Sequence, residues 1–345
     1  PEQARTLEQI ADSRGESFYR GALAAAMVAD ARAQGGLLSE ADLAEHRPEW
    51  VGTLSQAYGP PGSEAELHEI PPNGQGLAAL QALGILRHLG VGEHPPESAA
   101  SLHLQLEAMK LAFADAHRYL ADPAHMSLNP EDLLAEDYLA ERARLVDRAR
   151  AQDPGYGVPK PGGTVYLSAA DSSGMMVSFI QSNYHGFGSG VVVPGTGISL
   201  QNRGAGFVLG EGHPNRVGGG KRPFHTIIPA FLTRGGQPLA AFGVMGGPMQ
   251  PQGHVQMVLR LLDHAQNPQA AADAPRWRVL GGLSVALERG FDPAVLAELS
   301  ARGHRLEESE LGGDFSFGGA QLVWRTEGGY VAGSDPRKDG QAVGF

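Results

Sequence analysis

Residues 161–207 read PGGTVYLSAADSSGMMVSFIQSNYHGFGSGVVVPGTGISLQNRGAGF, and their pattern decides the architecture. Residues 164–170 (TVYLSAA) and 175–182 (MMVSFIQS) have the β-branched and aromatic content of strands. Asp171-Ser172-Ser173-Gly174 between them is a turn signal, so the two runs form a hairpin. Thr164 opens it, directly behind Gly162 and Gly163. By spacing alone Thr164 is an ordinary β-branched residue at the start of a strand.

Upstream, the first 150 residues read mostly as helix. Thr6 with Gln9, and Ser39 with Asp42, have the spacing of N-terminal capping pairs. A short strand near Leu67–Ile70 leads into Pro71-Pro72-Asn73-Gly74-Gln75-Gly76, and residues 77–90 are helical. Residues 99–120 form the longest helix, and Asn129-Pro130 opens another that runs to about Arg150. Downstream of the hairpin, strands are expected at 198–202, 226–232, 239–244, 283–288, 318–325 and 329–333, with helices at 249–266 and 292–302. Helices first and strands later predict an α+β chain with two layers of sheet.

Composition narrows the function. The chain has 345 residues, a formal charge of −11 and no cysteine. The acidic balance argues against nucleic acid or an anionic membrane as partner. The missing thiols exclude disulfides, thiolate metal sites and a cysteine nucleophile. No apolar run is long enough to span a bilayer, and the polar opening lacks the pattern of an export signal, so a cytoplasmic location is expected. The 48 glycines and 24 prolines cluster between periodic segments, as ordered loops whose backbone amides can face a ligand. The common P-loop, zincin and serine-elbow motifs are missing. Gly218-Gly219-Gly220-Lys221 lacks the Ser or Thr of a phosphate cradle, and the 13 histidines show no metal-ligand spacing beyond the loose pair His213 and His225. No metal and no cofactor is expected.

The 161–207 block resembles the start of the small subunit of the gamma-glutamyltransferase family. The shared elements are Thr164 at a strand start, the Asp171–Gly174 turn and the loop Phe187-Gly188-Ser189-Gly190. The likeness resumes at Lys221-Arg222-Pro223, at Gly246-Gly247 and at Ser334-Asp335-Pro336-Arg337. Upstream, FYRGALAAAMVADARAQGGLLSEADLA (residues 18–44) resembles the second half of the large subunit. The chain thus aligns from partway through the large subunit, after the family's carboxylate-clamping arginine.

The resemblance implies an N-terminal-nucleophile hydrolase fold, an αββα sandwich of two stacked, mainly antiparallel sheets flanked by helices. It divides the chain into a helical large-subunit-like part, 1–163, and a catalytic small-subunit-like part, 164–345. It implies self-cleavage between Gly163 and Thr164. A free α-amine, with a reference pKa of about 8, then accepts the proton of the Thr164 hydroxyl. The uncut chain should be inactive, and the two products should stay together as a heterodimer. By position, Ser182 replaces the family threonine that hydrogen-bonds the nucleophile. Gly246 and Gly247 match the glycine pair whose N–H groups form the oxyanion hole.

The donor-reading positions depart from the family. Gly206 stands where glutathione-cleaving members carry an acid for the donor's ammonium, and Arg203 adds positive charge nearby. His225-Thr226 replaces a serine pair that grips the α-carboxylate. Tyr184 stands where an asparagine is expected, with Asn183 beside it. The short segment 207–221 predicts an open cleft without a lid. The expected activity is cleavage of a gamma-glutamyl amide through a threonine acyl-enzyme, with transfer to water or to an amino acid or peptide. One alternative is an amidohydrolase or acylase acting on another carboxylate-bearing amide, oxamate-like or acylase-type. Arg203 favours that reading, because a guanidinium grips a carboxylate bidentately. The other alternative is an inactive, unprocessed homologue.

Overall fold

A computed structural model describes residues 1–154, 163–307 and 316–345. In chain order it has helices α1 (Glu2–Asp12), α2 (Glu16–Arg20), α3 (Ala22–Ala33) and α4 (Glu40–Ala44), then strands β1 (Leu54–Tyr58) and β2 (Ala65–Glu69). Helices α5 (Gly76–Arg87), α6 (Ala99–Tyr119) and α7 (Glu136–Arg144) follow, then the hairpin β3 (Gly163–Ala170) and β4 (Met176–Tyr184). After the short strands β5 (Val192–Val193) and β6 (Ile198–Ser199) come β7 (Ala230–Arg234), β8 (Gln237–Met245), α8 (Met249–Leu262) and α9 (Pro268–Asp273). The chain closes with β9 (Trp277–Gly281), β10 (Ser284–Leu287), α10 (Pro293–Ala301), β11 (Arg305–Glu307), β12 (Gly319–Thr326) and β13 (Gly329–Ser334).

The chain forms two compact units. One comprises residues 1–51 and 183–203, the other residues 52–182 and 204–345. In the smaller unit α1 to α4 accompany the β5–β6 ribbon. Ser39 and Asp42 form the expected capping box at α4. Thr6 does not cap: it is buried within α1, and its hydroxyl donates to the Thr196 carbonyl at 2.8 Å. A buried hydroxyl left without a partner is costly, and the Thr196 carbonyl supplies one.

The larger unit is built on a six-stranded sheet in the order β1-β2-β7-β8-β12-β13, every neighbouring pair antiparallel. Strand alternation sends successive β8 side chains to opposite faces. Val244 meets α8 so closely that a Cβ on Gly253 would lie 2.5 Å from its Cγ1. Gly243 faces the other way and leaves room for the Tyr166 ring of β3, which a Cβ there would meet at 2.5 Å. The Ser178 hydroxyl of β4 donates to the Phe242 carbonyl at 3.3 Å. The hairpin therefore lies on one face of the sheet and helices lie on the other. Covered on both faces, β8 is buried from Ala240 to Val244 without the alternation of a half-exposed strand.

Helix α5 is apolar on every side but for Gln81 and is buried from Gly76 to Leu86, as its sequence GLAALQALGIL requires. Buried charges on α6 are paired: Asp115 accepts from Gln81, Tyr138 and Arg142 at 2.6, 2.9 and 2.8 Å. The expected helix from Asn129 to Arg150 is shorter, a 3-10 turn at Pro130–Leu134 followed by α7. Strand β1 was not expected in the helical half. LSQAY has little β-branched content, and it becomes a strand by pairing with β2. Among the described residues, no helix is long and apolar enough to cross a membrane.

Candidate active site

Thr164 is the second residue of β3, and its Oγ1 donates to Ser182 Oγ of β4 at 3.3 Å. Both side chains are half-buried. The turn that closes the hairpin explains the spacing: the Asp171 carboxylate accepts from the Ser173 and Met175 amides at 2.9 and 3.2 Å. Gly174 takes the φ of 91° that completes it. Hydrogen bonding from Ser173 holds the Asp171 carboxyl below its ordinary pKa. Gly162 lies outside the described residues.

The second element of the site follows β8. Gly246 and Gly247 have φ of 120° and 60°, a region that glycine enters without strain. A Cβ on Gly246 would also stand 3.1 Å from Met249 Cβ and 3.2 Å from Gly318 Cα. Their carbonyls accept from the amides of Met249 and Gln250 at 3.2 and 3.0 Å, which opens α8. The 14-residue α8 thus sets the positive end of its dipole beside the pair.

Beneath this loop is a polar scaffold that motif reading missed. Gln75, 1% exposed, donates from Nε2 to the Thr226 and Gly247 carbonyls at 2.7 and 2.9 Å. The Gln75 amide donates to the His225 carbonyl, and the His225 amide to the Asn73 carbonyl, both at 2.9 Å. The Pro71–Gly76 stretch therefore acts as a strap across the His225-Thr226 segment. Deeper still, His254 Nδ1 donates to Glu69 Oε1 at 2.6 Å, and His254 Nε2 accepts the Val244 amide at 3.2 Å. Both side chains are fully buried. Burial raises the Glu69 carboxyl above the ordinary carboxylate range, opposed by the nearby His254. None of these links had a local sequence signal: apart from the Val244–His254 bond, each joins residues more than 140 positions apart in the chain.

The structure corrects the picture at position 206. A Cβ there would lie 2.4 Å from the Phe224 carbonyl oxygen, and the Gly206 carbonyl itself accepts from Asn215 Nδ2 at 2.7 Å. The acid found in glutathione-cleaving members is thus not only missing: the backbone leaves it no space.

Asn183, Tyr184 and Arg203 belong to the smaller unit. Asn183 is exposed. Tyr184, at φ 78°, stacks on His185 with centroids 4.3 Å apart, and the Arg203 guanidinium sits 5.1 Å over its ring. Burial lowers the Arg203 pKa to about 10, so it stays charged at neutral pH.

The expectation that histidines lack metal-ligand spacing meets one exception among the described residues. His103, Glu107 and His304 are buried with ligand atoms within 4.8 Å of one another. His103 Nδ1 lies 2.8 Å from His304 Nε2, and the Lys110 ammonium 2.5 Å from Glu107 Oε1. The lysine already supplies the cation that the carboxylate needs, so the group is a core ion-pair network rather than a vacant ligand set.

Thr164 opens β3 with its hydroxyl on Ser182, and the same hairpin packs through Tyr166 on Gly243 of β8, the strand that runs into the Gly246-Gly247 corner. The match to the gamma-glutamyltranspeptidase family covers residues 1–345. The chain belongs to that family. It is 35% identical over 354 residues to the glutathione hydrolase-like YwrD proenzyme of Bacillus subtilis, and 37% identical over 354 residues to the oxamate amidohydrolase proenzyme of Klebsiella pneumoniae. Each alignment covers 100% of this chain and 65% of the relative, so the chain spans about two thirds of their length. The cephalosporin acylase structure from Bacillus halodurans superimposes with a TM-score of 0.90 at 48% identity, over 99% of this chain and 61% of that one. The fold is the α+β N-terminal-nucleophile sandwich of this family.

Proposed function

We propose that this chain is the catalytic part of an amidase that acts through a Thr164 acyl-enzyme after cutting itself between Gly163 and Thr164. The observation that carries the reading is the 3.3 Å bond from the Thr164 hydroxyl to Ser182 in a residue that directly follows a glycine at a strand start. Cleavage frees the Thr164 α-amine as the local base. Its hydroxyl attacks the amide carbonyl, and the oxyanion is held by the Gly246 and Gly247 amides. The leaving amine takes a proton, and water or an amino acid or peptide releases the acyl group. The products, 1–163 and 164–345, remain together as a heterodimer.

The donor is a carboxylate-bearing amide of the oxamate or acylase type. Position 206 has no space for an ammonium-reading acid, and Arg203 is a charged guanidinium suited to a carboxylate. The names of two relatives, oxamate amidohydrolase and cephalosporin acylase, support this class. Gamma-glutamyl amides are the second reading, favoured by the family match and the YwrD name. Arg203, Tyr184, Asn183, His225 and Thr226 are the donor-reading candidates.

Intact mass under denaturing conditions tests the proposal. Two fragments divided at Thr164 are expected, with Thr164→Ala remaining a single chain that turns nothing over. Turnover by Thr164→Ala removes Thr164 as the nucleophile, and a single uncut mass for the unmodified protein removes the catalytic reading and leaves an inactive homologue. The active protein is then offered oxamate, a cephalosporin side-chain amide and a gamma-glutamyl anilide at equal concentration. Preference for the anilide would reverse the donor assignment.

A further inference from the structure

We propose that Gln75 is a positioning residue for amide cleavage: one side-chain amide sets the tilt of the oxyanion-binding peptide and ties it to the donor-reading segment. The inference rests on the proposed role of Gly246 and Gly247 as oxyanion donors.

The loop needs such a clamp. Gly246 and Gly247 have no side chains that could hold them, and glycine is the residue with the most backbone freedom. Pro248 has no N–H, so the 247–248 peptide can be gripped only by its carbonyl. That carbonyl is bound twice, by the Gln250 amide at 3.0 Å and by Gln75 Nε2 at 2.9 Å. Pinning the carbonyl fixes ψ of Gly247, and with it the direction of the Gly247 N–H relative to the helix start. The α8 bond alone defines one line, along which the peptide can still rock. The second donor defines a plane.

The same nitrogen donates its other hydrogen to the Thr226 carbonyl at 2.7 Å, while the Gln75 main chain holds His225. The distance between the His225-Thr226 segment and the glycine corner is therefore set by one amide group. This chemistry requires glutamine. Glutamate would turn an acceptor toward two carbonyls, and asparagine is one methylene short of spanning them. A lysine would bury an unpaired charge.

The test compares Gln75→Leu and Gln75→Glu with the unmodified, cleaved protein. For Gln75→Leu we expect kcat to fall roughly 10- to 100-fold, the range for a small misplacement of catalytic groups, with KM within about twofold and the chain still cut at Thr164. For Gln75→Glu we expect low kcat at neutral pH and partial recovery as pH falls, because the protonated acid regains one donor. The unmodified protein and Gln75→Leu should show no such recovery. Unchanged kcat in Gln75→Leu overturns the role. So does a parallel loss of kcat, KM and melting temperature with no acid recovery in Gln75→Glu, which would mark ordinary core damage. If Gln75→Leu does not fold, the pH profile of Gln75→Glu decides by itself. Trapping of the acyl group on Thr164 in the unmodified protein separates the two failures. Without that trapped species the acyl-enzyme reading falls and takes this role with it, whereas with it, indifference to Gln75 removes only the clamp.

Discussion

The corner where β8 turns into α8 and the hairpin β3–β4 sit on the same sheet, yet they are secured by different means. At the corner Gly247 is buried and Gly246 half-buried, and the backbone there is held by Gln75 and the Gln250 amide, with His254 on Val244 and Glu69 behind it. The hairpin has one covered face, where Tyr166 packs on Gly243 and bonds Ser178 at 2.7 Å. Its other face exposes Val165, Leu167, Val177 and Phe179, each between 44% and 57% accessible. The proposed oxyanion donors are thus on the corner with more backbone support, and the proposed nucleophile Thr164 is on the element with less. Preorganised amides cost no rearrangement during reaction, whereas a nucleophile must change partners when its chain is cut.

The largest expected effect that sharpens this contrast is at the corner. Replacing His254 with Leu leaves Glu69 buried and unpaired, and should cost roughly 3–5 kcal/mol in denaturant unfolding. A loss under about 1 kcal/mol would show that the corner does not depend on the pair. The pH dependence of the corner has a definite sign. Because burial raises the folded pKa of Glu69 above its ordinary 4.5, the folded state holds that proton more tightly than the unfolded chain. Stability should therefore decline as pH rises from about 4.5 through the folded value. Glu69→Gln, which still accepts from His254, should flatten that slope, and an unchanged slope would exclude Glu69 as its source.

The hairpin gives smaller effects. Ser182→Ala removes the hydroxyl that meets Thr164 and should slow acylation roughly tenfold, the worth of one hydrogen bond. Melting temperature should change little, and pre-steady-state acylation equal to that of the unmodified protein would take Ser182 out of the site. Smallest of all, Phe179→Ser on the open face should change unfolding free energy by no more than about 0.5 kcal/mol. A much larger loss would mean that something covers this face in the protein, and the contrast between the two regions would disappear.

What could be read from sequence follows the same division. The hairpin was legible because its causes are local: the alternation of 164–170 and 175–182, and an Asp-x-x-Gly turn whose carboxylate binds its own backbone. Gly246 and Gly247 were found by resemblance, and their positive φ values supply the physical reason for glycine. The scaffold under them was not legible. Gln75 and Gly247 are 172 positions apart, and a glutamine in a Pro- and Gly-rich stretch reads as a loop residue until its partners are known. His254 falls on the apolar face of a correctly expected helix, where a lone histidine has no pattern to mark it. Strand β1 was missed for a related reason, since its five residues are strand only in the presence of β2. Spacing also failed at His103, Glu107 and His304, which meet only when the chain near residue 304 returns to α6.

The tight approach of Phe224 to Gly206 also bears on how members of this family exchange substrates. A single base change that put aspartate at 206 would meet a carbonyl oxygen 2.4 Å from the new Cβ. The neighbouring backbone at 223–224 has to shift before such an acid is tolerated, and Asn73 Nδ2 holds the Pro223 carbonyl at 2.6 Å. Position 206, the 223–224 backbone and Asn73 are therefore coupled by packing. If the proposed donor site holds, laboratory evolution toward amino-acid donors should succeed by recombining 202–226 together with 71–76 from a relative, and Gly206→Asp alone should not suffice.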